Sequence, residues 1–132
     1  MPEDNAGTVR KSYDAFLRRD LDEFLSYHDP EVEFRSLVLE VEGVYRGHDG
    51  LRSWWENVVD VFPDWQPQIE DAREAGDLVL LHVRVQGRGT GTGIDLDRHS
   101  WNVVEVHDGR IVSSAFYRTE EEALEAIGRQ SG

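Results

Sequence analysis

The chain has no cysteine, one lysine (Lys11), one methionine and four prolines. The missing cysteine removes disulfides, thiol nucleophiles and thiolate metal sites together. No apolar run approaches the ~20 residues needed to span a membrane. The N-terminus, Met1-Pro2-Glu3-Asp4-Asn5, does not join a basic stretch to an apolar one as an export signal does, so a cytoplasmic location is expected. Basic residues are scarce as well: 14 stand against 27 acidic ones, a net charge of −13. A surface this acidic repels phosphate backbones and anionic lipid, so neither nucleic-acid nor membrane partners are expected. What is present suits a folded protein. Hydrophobic residues make up 39% of the 132, and four Trp, four Tyr and five Phe supply a core. The length fits one domain over residues 1–132, with its core at about 5–128.

Periodicity divides the chain into elements. Val9, Tyr13, Phe16 and Leu17 recur at helical spacing between about Ala6 and Arg19. Asp20 breaks that helix and caps a second, Leu21 to Tyr27, which His28-Asp29-Pro30 is expected to end. Glu31 to Leu37 alternates polar and apolar residues like a half-buried strand. A mixed segment, Val38 to Val44, precedes a third helix, about His48 to Val61, stopped by Phe62-Pro63-Asp64. Period two then takes over: Gln66 to Glu74, Leu78 to Arg88, Arg98 to Val106 and Ile111 to Tyr117 read as strands. Asp108-Gly109 suits a tight hairpin between the last two. Thr119 and Glu122 form a capping box for a final helix, Glu120 to Ile127, with Gly128 as its stop. Strands linked by short turns argue for an α+β fold with an antiparallel sheet and the helices on one side. A bent sheet covered in this way encloses a conical cavity.

This order, with Asp29-Pro30-Glu31-Val32-Glu33-Phe34, Tyr45-Arg46-Gly47-His48-Asp49-Gly50, Phe62-Pro63-Asp64 and Asp108-Gly109-Arg110-Ile111-Val112, resembles the SnoaL-like group of the nuclear transport factor 2-like superfamily. The resemblance runs over about residues 5–128. It implies a cystatin-like cone, with a strongly bent antiparallel sheet and three main helices on its concave side. It implies no cofactor, and pairing of two copies through the outer sheet face. The superfamily spans polyketide cyclases, ketosteroid isomerase, scytalone dehydratase, limonene epoxide hydrolase and pocketed proteins without known activity, so function must be read from the site. SnoaL-like cyclases carry an acidic residue on the strand before the Asp-Gly turn and often an acid-histidine-tryptophan run after it. The corresponding places look like Asn102 and Ser113-Ser114-Ala115. An amide is no general base at neutral pH.

The expected pocket is lined by Tyr13, Phe16, Phe34, Trp55, Phe62, Asn102, Val104, Ser114 and Phe116, and suits a small, mostly apolar ligand. Trp54 and Trp55 point ~100° apart on their helix, so one lines the cavity and the other covers a sheet edge. Tyr13 reads either as a pocket donor or as a core aromatic with a satisfied hydroxyl. Catalysis would need a titratable group near Asn102, and Glu33, His28, His82 and His99 are the candidates. Each also has a plainer reading: Glu33 in a surface ion pair, and His82 with Arg84 on solvent or at an interface. Trp101, out of phase with Asn102, marks with His82 and Arg84 the outer face through which a homodimer is expected. None of the five histidines has zinc-site spacing. Gly87-Arg88-Gly89-Thr90-Gly91-Thr92-Gly93 lacks the ending of a phosphate loop and reads as a flexible hairpin. Two functions remain in view. One is ligand binding; the other is cofactor-independent isomerase, cyclase, dehydratase or hydrolase chemistry on a polyketide-, steroid- or terpenoid-like compound. A weaker third is an interaction module whose pocket is filled by its own side chains.

Overall fold

The computed structural model describes residues 5–36, 43–61, 64–88 and 95–131. Helices α1 (Asn5–Leu17) and α2 (Leu21–Ser26) lead into β1 (His28–Ser36) and β2 (Gly43–Arg46). Helix α3 (Gly47–Val61) is followed by β3 (Gln66–Ala75), β4 (Leu78–Arg88), β5 (Asp95–His107), β6 (Arg110–Tyr117) and α4 (Glu120–Ser131). The six strands form one sheet in the order β2-β1-β6-β5-β4-β3. Every neighbouring pair is antiparallel except β1 and β6, which run parallel.

Alternation along the strands decides what faces what. On β4, Val79, Leu81, Val83 and Val85 are buried in one core with Val9, Phe16 and Leu51 from the first and third helices. A fully buried Val or Leu of this kind contributes about 1.5–3 kcal/mol relative to exposure. Leu78 and Leu80 point the other way and join a second, smaller core with Val103 and Ala123 of α4. The first three helices therefore fill the concave side, and α4 lies across the convex side over part of Trp101 and Tyr117.

The caps and turns follow local chemistry. Asp20 Oδ1 accepts from the Glu23 N–H at 3.1 Å and starts α2. Thr119 Oγ1 does the same for Glu122 at 3.1 Å and starts α4. Asp108 and Gly109 both have positive φ, 52° and 76°, the requirement of a type I′ hairpin turn.

The structure departs from the sequence expectation in four places. Residues 28–30 belong to β1 rather than ending a helix. Pro30 is tolerated there because the β1–β6 register shifts between His28 and Glu33, where no regular ladder donor is required. The short strand β2 overlaps the end of the segment read as mixed and runs on to Arg46; residues 38–42 of that segment fall outside the described residues, as do 37, 62–63 and 89–94. The β1–β6 pair is parallel, whereas a wholly antiparallel sheet was expected. Helix α4 continues past Gly128 to Ser131, because that glycine keeps a φ outside the left-handed region.

Candidate functional site

Helix α1 presents Val9, Ser12, Tyr13 and Phe16 at i, i+3, i+4 and i+7 to the concave face, and these form one wall of a cavity. Phe24 of α2, Phe34 of β1 and Trp54 of α3 form its aromatic side. The sheet floor is Asn102 and Val104 of β5 with Ile111 and Ser114 of β6, and His28 and Pro67 complete the lining. The walls are mostly apolar and the cavity is partly open, with a volume of about 40 Å³. That holds a few waters, well short of the ~150 Å³ apolar cavity that admits a benzene.

Three polar side chains on the floor and the helix wall form a directed chain. Asn102 Nδ2 lies 3.0 Å from the Ala115 carbonyl and 3.0 Å from Ser114 Oγ. A carbonyl oxygen only accepts, so the atom facing it must be the amide nitrogen, and the amide orientation follows. Asn102 Oδ1 then accepts the Tyr13 hydroxyl proton at 2.8 Å. Asn102 is 1% exposed and all its polar directions toward these groups are satisfied. Burial pushes the Tyr13 phenol far above its ordinary pKa, so it stays a neutral donor.

His28 lies elsewhere in the lining. Its Nδ1 is 2.8 Å from the Phe24 carbonyl, which can only accept, so Nδ1 carries the proton and Nε2 the lone pair. Burial pushes its pKa down to about 4; the Phe24 hydrogen bond opposes this and the His48 charge reinforces it. The ring is therefore neutral at physiological pH. The His48 Nε2–H donates to the His28 backbone carbonyl at 2.9 Å and holds the start of α3 against β1.

Of the expected lining, Tyr13, Phe16, Phe34, Asn102, Val104 and Ser114 come together around this cavity. Phe62 lies outside the described residues. Trp54, not Trp55, faces the cavity: Trp55 packs behind it, 4.7 Å from the Phe16 ring and 5.1 Å from Phe24. Phe116 stands off the lining, edge-on to Phe34 at 5.7 Å. Three of the four titratable candidates are away from the cavity. Glu33 alternates to the convex side and faces Arg46 at 3.6 Å. His82 and His99 also lie on the convex side, joined Nε2 to Nδ1 at 2.8 Å, with His82 stacked on Trp101 at 5.0 Å. Arg84 beside them is paired with Asp97 at 2.9 Å. Only His28 reaches the site.

The sequence reading missed Phe24, Pro67 and Ile111, whose positions depend on how α2 and the sheet edges close over the cavity. Ser12 was within reach, since it shares the α1 stripe with Val9 and Phe16. Among the described residues no carboxylate lines the cavity, and no cluster of three or more His, Asp or Glu side chains is arranged to hold a metal ion. No helix among them is long and apolar enough to cross a membrane.

Comparison with known proteins places this geometry. Solved structures share the fold at low identity. An NTF2-like protein of unknown function from Burkholderia pseudomallei is 22% identical, with 92% of this chain and 95% of that one covered, at a TM-score of 0.79. IdmH from Streptomyces antibioticus, a candidate polyketide cyclase, is 23% identical over 96% and 99% of the two chains, at a TM-score of 0.74. A hypothetical protein of ketosteroid isomerase-like fold from Catenulispora acidiphila, in complex with trimethylamine, is 14% identical over 92% of each chain, at a TM-score of 0.76. No curated protein sequence matches the chain. The cone of helices on a curved sheet is thus that of the NTF2-like and ketosteroid isomerase-like proteins. With residues 9–114 matching the SnoaL-like domain, the chain belongs to that family.

Proposed function

We propose that this protein binds a small, mostly apolar molecule in the cavity between α1, α3 and the sheet. The supporting observation is the chemistry of the lining: aromatic and aliphatic walls with uncharged polar groups at Tyr13, Asn102, Ser114 and His28. Apolar walls with a few placed polar groups are the usual make-up of a small-molecule site. The Catenulispora neighbour, crystallised with trimethylamine, gives a precedent on this fold for a ligand of a few heavy atoms. Native mass spectrometry of the purified protein, followed by identification of any released small molecule, tests the reading. A bound compound that is lost in Val104→Trp, which fills the cavity, is expected. Retention of the same compound by that variant would place it elsewhere and overturn the reading.

A second reading has one observation in its favour. The Phe24 carbonyl fixes the His28 tautomer and leaves Nε2 as a base beside the cavity, the arrangement an acid/base isomerase, cyclase, dehydratase or hydrolase would use. With a pKa of about 4 the imidazole is always available but weakly basic at neutral pH. Catalysis by it would be flat above about pH 5 and fall below that. Deuterium uptake by a bound ketone in D2O, abolished in His28→Phe, would establish it. Binding without exchange would leave the first reading alone.

A further inference from the structure

The hydrogen bonds around the cavity have a fixed sense, and that sense dictates what a ligand must offer. The Ala115 carbonyl fixes the Asn102 amide, and the amide makes Tyr13 a donor and Ser114 an acceptor. Among the described residues, the only hydrogen bond at Ser114 Oγ is the one it accepts from Asn102. The hydroxyl proton is left to point elsewhere, and Ser114 is 5% exposed and part of the lining. A buried hydroxyl proton without a partner is costly, so a ligand acceptor there is favoured. The chain Tyr13 to Asn102 to Ser114 also runs in one direction, and each bond polarises the next toward the ligand.

His28 makes the opposite demand. Its proton is held by Phe24, so Nε2 can only accept; among the described residues nothing bonds to it. The ring is 4% exposed and lines the same cavity. Among the described residues no Lys, Arg, Asp or Glu is in the lining to balance a charged ligand.

We propose that the cavity selects uncharged compounds that carry both a hydrogen-bond acceptor, met by the Ser114 hydroxyl, and a hydrogen-bond donor, met by His28 Nε2: hydroxy-carbonyl compounds as a class. This deepens the binding reading above and rests on it. The two polar groups act as a pair of opposite sense set in apolar walls. Simple hydrocarbons leave both unpartnered, and ketones or aldehydes leave the His28 lone pair unpartnered. Carboxylates bring a charge the site cannot balance and a lone pair toward Nε2.

NMR titration of the wild-type protein with four probes of a few heavy atoms, sized to the cavity, tests the proposal: 2-methylpropene, acetone, hydroxyacetone and acetate. Each satisfied hydrogen bond is expected to raise affinity about five-fold, so the order is hydroxyacetone above acetone above 2-methylpropene. Acetate is expected to bind at least about ten-fold more weakly than acetone. Ser114→Ala should shrink the acetone-to-2-methylpropene ratio, and Ser114→Thr, which keeps a hydroxyl, should restore it. His28→Phe should shrink the ratio of hydroxyacetone to acetone. Equal affinities for the neutral probes, or a preference for acetate, overturn the polarity assignment while leaving a binding cavity in place. Failure of every probe to bind overturns both.

Discussion

Asn102 is the residue on which the site turns. It is fixed by three hydrogen bonds in a place where an aspartate would direct an oxygen lone pair at the Ala115 carbonyl. An Asn102→Asp carboxyl is therefore expected to stay protonated in the fold well above its unfolded pKa of about 4. Its folded pKa is raised, so stability is retained below about pH 4 and is lost as pH rises. Urea denaturation should show this variant close to wild type in acid and weaker by about 2–4 kcal/mol at pH 8. A constant deficit across pH would refute the argument. His28 gives the wild type a slope of its own. Its folded pKa, about 4, lies below the unfolded value of 6.5, so the stability it contributes is full above pH 6.5 and lost as pH falls toward 4. The loss amounts to about 3 kcal/mol, with His48 the neighbouring charge that shares it. In His28→Asn this part of the pH dependence of denaturation midpoints should disappear. His107 titrates in the opposite sense, since its hydrogen bond to Glu105 raises its pKa, but it is exposed and adds little.

Among the elements, the junction of β2 and α3 is the most exacting. Gly47 holds φ at +71°, and a Cβ there would meet the Pro30 carbonyl at 3.1 Å. Gly47→Ala is expected to cost about 1–3 kcal/mol, measurable as a lowered melting temperature. Gly109→Ala, equally left-handed at +76° but in open space, should cost only about 1 kcal/mol. A larger loss at Gly109 than at Gly47 would contradict the assignment of the contact. These elements also show where the sequence was legible. Period-two alternation placed β4 and its core face, whereas Asn102 and Ser114 were picked out by the family resemblance, which supplied the inward phase of β5. Helical spacing gave Tyr13 and Phe16. The choice between Trp54 and Trp55 was not legible, because it depends on how α3 rotates against the sheet and both side chains end up buried. Strand β2 was invisible: its four residues are mostly exposed and carry no alternation of their own. His28 was readable as a candidate, but its buried setting arises only when α2 folds back to place the Phe24 carbonyl on Nδ1.

For the molecule as a whole, the net charge of −13 must be accommodated by the folded surface. Raising salt to ~0.5 M screens that self-repulsion and is expected to raise the melting temperature; no change would mean that local pairing with the basic residues already offsets the repulsion among the acids. We propose that two copies pair through the part of the convex face that α4 leaves uncovered, around His82, Arg84 and the open edge of Trp101. Light scattering coupled to gel filtration should then show a dimer that His82→Glu weakens, and a monomeric wild type would refute pairing. The parallel contact between β1 and β6 has a consequence for the order of events during synthesis. Residues 28–36 have one sheet neighbour close by in residues 43–46, but the other, which joins them to the rest of the sheet, is residues 110–117, so the amino-terminal half emerges from the ribosome long before the strand that anchors it. Until then Phe24, Phe34 and Trp54 have no floor to close upon, so the nascent chain carries this aromatic surface uncovered through most of its synthesis.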